Sequence, residues 1–428
     1  MKLEGGKILI NNLAKYIEGA NIPVKTTDGN VVKRIYFNNA ATTLALRPVM
    51  KKVNANVPLL TYTDAPGPLG KRTAIKYEDV RDLVINYVGA DASKDTVIYS
   101  KNSTEAINLL SDLLYQEDPE QVVITTDMEH MANYLPFTSR FETAVVGVTK
   151  EGDLDLEDLE DKLNMYKGRV KLVTVTGASN VTGITPHIYK ISKLVHKYGA
   201  KILVDAVQLV QHRPFSMKPY SDDSHIDFVV FSAHKCYTPF DGGVLIGPHD
   251  FFYKYQPYLE GAGITKFVSS EKVIYSNPPK RYEAGYPDIF GVMAMGEAIK
   301  FIENVGINNI AKYEKMLYKH IKKGLESIPR VIMYGQDSDR INIPYVSFNV
   351  KGMYHTDVAN YLADHHGIEV GAGTAGADIY VQSLLGVSSQ EAYEKYIDGK
   401  NPGIVRISMG MYNNVGEINR FIYALRKL

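Results

Sequence analysis

The run "FVVFSAHKCYTPFDGGVLIG", residues 228–247, sets Ser232, His234, Lys235 and the chain's one cysteine, Cys236, between two apolar segments. Both segments read as buried strands, and a buried ammonium is costly unless it is paired, neutralised or used covalently. Other polar residues stand at comparable places. "SKNSTEAINLL" puts Ser103 and Thr104 after a strand-like run and at a helix start. Open N–H groups, hydroxyls and the helix dipole there suit a phosphate, although an ordinary N-cap with Glu105 in the first turn uses the same residues. "KILVDAVQ" ends a run on Asp205, an acid able to hold a heterocyclic N–H⁺, with Gln208 in reach of the same ligand. "TDMEHMANYLPF" places His130 where a ring can stack on a flat cofactor, and "GASNVTG" adds Asn180. Each alone has a bland structural use. Together, a phosphate cradle, an anion for a ring nitrogen, a stacking ring and a buried lysine are the parts of a pyridoxal-phosphate site. Lys235 would then be held as a Schiff base, and no bare ammonium is buried.

The elements that must position these residues are seven short apolar runs. They are "TVIYS" (96–100), "QVVITT" (121–126), "TAVVGV" (143–148), "KLVTVTG" (171–177), "KILVD" (201–205), "DFVVFS" (227–232) and "GVLIG" (243–247). Most are continuously apolar, as strands covered on both faces are, and helix-like stretches fall between most of them. This alternation predicts an α/β fold around a mostly parallel sheet, with ligands beyond the carboxyl ends of the strands. The short Gly-containing link before "GVLIG" predicts one antiparallel strand. After about residue 290 the texture changes to helices with the short strands "VSFNV", "GIEVGAG" and "GIVRISM", a smaller α+β unit. The expected division is an N-terminal arm over 1–24, a large cofactor-binding domain over 25–290 and a small C-terminal domain over 291–428.

Bulk properties agree. A chain of 428 residues exceeds what one core usually serves. Its 48 basic and 48 acidic residues balance, which argues against a nucleic-acid footprint and for a small-molecule site or a protein partner. A single cysteine excludes an intrachain disulfide framework and a multi-cysteine metal site. The N-terminus is too polar for a secretory signal and no apolar run approaches membrane length. A cytoplasmic protein without membrane, nucleic-acid or metal partners is expected.

The motifs "NNAATT", "NSTEAINL", "MEHMAN", "SNVTGI", "LVDAVQ", "SAHK", "YEAGYPD" and "VRISMGMYNN" follow one another from residue 35 to the C-terminus. In that order the chain resembles the cysteine desulfurase and selenocysteine lyase group of the class V aminotransferases, with a fold type I architecture. The resemblance implies pyridoxal 5'-phosphate carried by Lys235, with Asp205 at the ring nitrogen and His130 stacked on the ring. It implies Asn180 and Gln208 near the ring oxygen, and Ser103, Thr104, Ser232 and His234 at the phosphate. Arg406 would clamp the substrate α-carboxylate, a geometry suited to a bidentate fork. Asn39 and Ala40 would lie on the substrate side. A homodimer is also implied, in which the partner's "EAG-x-P" loop completes the phosphate site with Tyr286, a bulkier hydroxyl than the family's usual one.

Three departures stand out. Where the desulfurases carry their cysteine, in a stretch like "R-x-G-x-x-C-A", this chain reads "GAGTAGADIY" (371–380), with Gly371 and Gly376 at the arginine and cysteine places. "TYTDAPGPLGKRT" lacks a family histidine, and Asp241 replaces a small residue. Cys236, next to Lys235, reads as a packed small residue. The expectation is a retained cofactor site with a changed reaction: a carbon–sulfur or related β/γ-elimination lyase on an amino acid. An aminotransferase or epimerase uses the same residues. A true desulfurase and a non-catalytic binding scaffold are the remaining readings.

Overall fold

All seven expected runs are strands of one sheet in the computed structural model, which describes residues 10–335 and 342–428. They are β1 (Asp95–Ser100), β2 (Val122–Thr126), β3 (Glu142–Val146), β4 (Val170–Thr176), β5 (Lys201–Asp205), β6 (Phe228–Ser232) and β7 (Gly243–Pro248). Their spatial order is β1-β7-β6-β5-β4-β2-β3, with β7 antiparallel to both neighbours and the other pairings parallel. The carboxyl ends of β1, β2, β4, β5 and β6 therefore lie along one edge. Every residue of β2 and β6 is buried, which is why these strands read as unbroken apolar runs.

Six helices pack around this sheet: α1 (Arg47–Asn56), α2 (Pro68–Tyr87), α3 (Ser103–Glu117), α4 (Met131–Thr138), α5 (Leu156–Met165) and α6 (Ile188–Lys197). Side chains cap the starts of α3, α4 and α5. Asn102 accepts from Glu105 N at α3, and Asp155 accepts from Glu157 N and Asp158 N at α5. Helices α7 (Ile289–Val305) and α8 (Ile307–Glu326) follow.

A second, four-stranded antiparallel sheet is built from β8 (Val331–Tyr334), β9 (Tyr345–Val350), β10 (Gly371–Gly373) and β11 (Ile404–Ser408), in the order β8-β9-β11-β10. Strand β8 was not among the runs expected from the sequence. "GIEVGAG" is not one strand either: Ile368–Glu369 pairs in parallel with Ile35–Tyr36, and only 371–373 joins β11.

The two main hydrophobic clusters do not divide at residue 290. Helix α7 is apolar almost all round and packs on α1 and α2, within the cluster that includes the inner faces of β2, β4 and β6. Conversely Ile35 and Phe37 belong to the second cluster, with Leu317, Phe348 and Phe421. Of the expected arm, residues 1–9 lie outside those described, and Leu13 and Ile17 are buried in the first cluster.

Candidate active site

The strand-end residues converge on one cavity of about 220 Å³, lined among others by Ser103, Thr104, His130, Asn180, Asp205 and Lys235. Gln208, Ser232, His234 and Asp241 share its wall. A larger cavity of about 530 Å³, beside Tyr87, Arg213 and Asn308, contains no comparable set and is not a candidate.

At one end the wall offers hydroxyl and backbone donors. Ser103 N donates to Ser232 Oγ at 2.8 Å, and Ser232 donates on to Ser103 Oγ at 3.0 Å. That leaves the Ser103 proton, the Thr104 hydroxyl and the open N–H of the first turn of α3 to face an anion. His234 shares this end, its Nδ1 3.2 Å from Thr42 Oγ1, and burial lowers its basicity. Asp241 is an acid in the same wall; its Oδ1 accepts from Gly242 N at 2.9 Å.

The floor is Asp205 at the end of β5, where Oδ1 accepts from Val207 N at 3.0 Å and the other oxygen has no donor among the described residues. Burial raises this carboxyl, which therefore fits a cationic N–H. Lys235 has no hydrogen-bond partner among the described residues, and desolvation lowers its amine to about 8. His130 caps α4, accepting from Ala132 N at 3.1 Å through Nδ1. Burial, then the nearby Lys235, bring its ring down to about 4, so it is neutral at physiological pH. Beneath it Glu129 is fully buried and accepts from Thr126 Oγ1 and Asn133 Nδ2 at 2.6 Å each and from Thr176 N at 2.9 Å. Burial lifts Glu129 to about 8, and its bonds tie the starts of α4 to β4.

Arg406 on β11 is buried. Its NH1 donates to Asn180 O at 2.9 Å, its NH2 to Asn38 Oδ1 at 2.8 Å, and its Nε has no partner among the described residues. An orphaned guanidinium N–H in a buried place fits a carboxylate.

Two expectations are corrected here. Asn39 is fully buried and engaged: its Nδ2 donates to Ser408 O at 3.0 Å and its Oδ1 accepts from Tyr412 at 2.9 Å. Ala40 is engaged too, its N–H with Ser408 Oγ and its carbonyl with Gln208 Nε2, both at 2.9 Å. Neither faces the cavity as a free group; Asn38 is the member of "NNAATT" that meets Arg406. Tyr286 lies outside this cavity, 66% exposed and stacked on Tyr62 with ring centroids 5.8 Å apart.

The chain's loop before α-helix Asp378–Leu385 packs on the His130 and Asn180 segments of the cavity wall. Met131 N donates to Gly376 O at 2.7 Å and Asn180 Nδ2 to Ala375 O at 2.8 Å. Gly376 has φ +72°, and a Cβ built there would sit 2.5 Å from His130 Nε2. Cys236 is fully buried, with its thiol pushed up to about 12 by desolvation.

Comparison with known proteins places these features. The family model described as aminotransferase class-V matches residues 35–421. A probable cysteine desulfurase of Pyrococcus abyssi is 32% identical over 410 residues, covering 92% of this chain and 94% of that protein. Probable cysteine desulfurase 1 of Mycobacterium leprae is 30% identical across 96% of this chain, which spans 64% of that longer protein. Among solved structures, the apo cysteine desulfurase of Thermococcus onnurineus NA1 superposes with a TM-score of 0.82 at 30% identity, covering 92% of this chain and 94% of its own.

Proposed function

The chain belongs to the class V aminotransferase family, which uses pyridoxal 5'-phosphate, and from that premise we propose a carbon–sulfur or related β/γ-elimination lyase acting on a small amino acid. The cavity fits that cofactor: donors at one end, an open carboxylate oxygen at the floor, and a lysine without a partner between them. Bound there, the cofactor would supply an electrophilic carbon and a ring that takes up the electron pair released at the substrate α-carbon. Arg406 holds the substrate carboxylate. Asp205 keeps the ring nitrogen protonated. Lys235, with its amine near 8, is free in part as a base at neutral pH and takes the α-proton. His130, neutral, receives and passes protons at the departing group.

The observation that carries elimination is the loop at Gly376. A desulfurase route needs a thiol there, and this chain has a glycine whose missing Cβ is filled by the His130 ring, with its one cysteine buried and unreactive. Elimination needs no enzyme thiol. The test is the visible spectrum of the purified protein as single amino acids are added without a keto acid. A transient change that returns, with a released thiol or sulfinate and a keto acid, is expected. A lasting loss of the original band would mean transamination, and sulfur left on the protein would mean desulfuration; either sinks the lyase.

A related expectation is that Gly376→Cys creates no desulfurase. The left-handed backbone costs a non-glycine residue about 1–2 kcal/mol, and the clash with His130 about 1–3 more. Assay for sulfide release should find none, and the variant should unfold at lower urea than its parent. Asp241→Asn should act the other way. Removing an acid beside the phosphate end should tighten cofactor retention about fivefold, under 1.4 kcal/mol, read from loss of the visible band on dialysis.

The second copy of the chain is the expected partner. Tyr286, Phe267 and Val268 leave an apolar face exposed near the hairpin Thr265–Val268/Val273–Tyr275, and a homodimer would cover it. Sedimentation at micromolar concentration should show a dimer; a monomer would overturn this part.

A further inference from the structure

Behind the cavity a chain of hydrogen bonds runs through groups that the reaction above does not use. Gln208 Nε2 donates to Ala40 O at 2.9 Å, and Tyr345 donates to Gln208 Oε1 at 2.8 Å. Tyr345 also lies 2.9 Å from His212 Nε2, and His212 Nδ1 lies 2.7 Å from Glu314 Oε1. Arg213 NH1 reaches Glu314 Oε2 at 2.8 Å. His212, Glu314 and Tyr345 are all 0% exposed, and Gln208 is 3%. Tyr345 is on β9 and Glu314 on α8, while Gln208 and His212 follow β5. The bonds thus cross from the second sheet to the cavity wall.

The direction of every proton follows from one fixed end. The Ala40 carbonyl can only accept, so it must face the amide N–H₂ of Gln208, and Gln208 Oε1 must face Tyr345. The single Tyr345 proton is then committed to Gln208. Tyr345 can only accept from His212, so His212 Nε2 carries a hydrogen. Nδ1 then faces Glu314 with one further proton between them, on the ring or on the carboxyl. With Arg213 the cluster holds one net positive charge. Gln208 has one amide hydrogen left, and the cavity is the remaining direction for it.

We propose that Glu314, His212 and Tyr345 are positioning residues that lock Gln208 as a hydrogen-bond donor toward an anionic oxygen of the bound ligand. This rests on reading the cavity as a pyridoxal-phosphate site, whose ring oxygen is the anion. A buried charged cluster of this kind contributes little stability in itself, and its use is to fix one arrangement. The other charged and titratable groups felt by the cluster are Arg406, Cys236 and Tyr237.

The test is nitrogen NMR of the full chain, purified with its cofactor and labelled with ¹⁵N-histidine, at pH 8. One ring protonated on both nitrogens, or on Nε2 with a strongly deshielded proton shared at Nδ1, is expected. Its signal should move in Tyr345→Phe. A His212 ring bare at Nε2 would overturn the proposal, because Tyr345 would then donate to His212 and leave Gln208 free to turn. The second readout is the pH at which the visible band of the loaded protein changes. Tyr345→Phe should shift it by about one pH unit, a tenfold change; no shift would overturn the role of Gln208. Glu314→Gln guards against misfolding. Its amide can donate to Nδ1, so the order is kept with a neutral ring, and the band should stay at the parent pH while Glu314→Leu moves it. If Glu314→Gln and Glu314→Leu behave alike, proton order is not what Glu314 supplies. Should the purified chain have no visible band, the cofactor reading fails alone, and the ring protonation still decides the relay.

Discussion

Lys235→Ala is expected to abolish the visible band and to lower turnover by at least about 10⁴-fold, because one side chain both anchors the cofactor and moves the α-proton. The same substitution should have the opposite effect on the cofactor-free protein. There the buried amine is lowered from 10.5 to about 8, so between those values the native state binds fewer protons than the unfolded chain. Stability then rises with pH across that window, and below pH 8 the native state bears the full penalty, about 3 kcal/mol. Removing the amine removes the penalty. The cofactor-free variant should therefore be more stable than its cofactor-free parent at pH 7, with the difference closing as pH rises from about 8 to about 10.5. Urea unfolding at both ends of the window checks it. A difference that does not change with pH would mean that the amine is not desolvated, and activity surviving the substitution would sink the mechanism.

Lys235 is conspicuous because the strands on either side are buried, and buried strands announce themselves as unbroken apolar runs. For the same reason all seven strands of the large sheet, and the antiparallel last one, could be read directly. Residues at strand ends inherit that clarity, and Ser103, Thr104, His130, Asn180, Asp205, Gln208 and Lys235 do line one cavity.

What could not be read is what depends on facing and on distant partners. Asn38 bridges to Ser408, and Asn39 is inside the turn that Ala41 N closes on Asn38 O at 3.1 Å, so the two side chains leave in different directions. The doublet "NN" does not say which one meets Arg406; the packing makes it Asn38. Glu129 lies inside "MEHMAN", yet only the packing of β4 against α4 shows that it is buried and tripled in hydrogen bonds. The sequence separation of Tyr345 from Gln208 hides that pair entirely, since no local pattern links residues 137 apart. The place of α7 with the large core is hidden differently. A helix apolar on every side shows that it will be buried, but not against what.

Arg406 is where sequence and structure together make the second large prediction. Arg406→Met should lower kcat/KM by about 10³-fold, mostly through KM, because truncating one member of a buried charge pair costs about 2–5 kcal/mol. Only part of the guanidinium would do the binding. One N–H each of NH1 and NH2 is already held by Asn180 O and Asn38 Oδ1, while Nε is free. The edge formed by Nε and the second NH2 hydrogen remains, and it presents two parallel donors to a carboxylate. Gly371 packs against that edge: a Cβ there would stand 3.1 Å from NH2 and 3.2 Å from Nε. Arg406→Lys retains the charge but only a point donor, so it should recover at most part of the loss. Gly371→Ala should raise KM and leave kcat nearly unchanged, since it crowds the carboxylate and touches nothing at Lys235. Burial lowers the Arg406 guanidinium to about 10, which leaves it cationic at neutral pH, so KM should climb only on the alkaline side. If KM is unmoved in Arg406→Met while kcat falls, Arg406 holds Asn38 and Asn180 in place and the substrate carboxylate binds elsewhere.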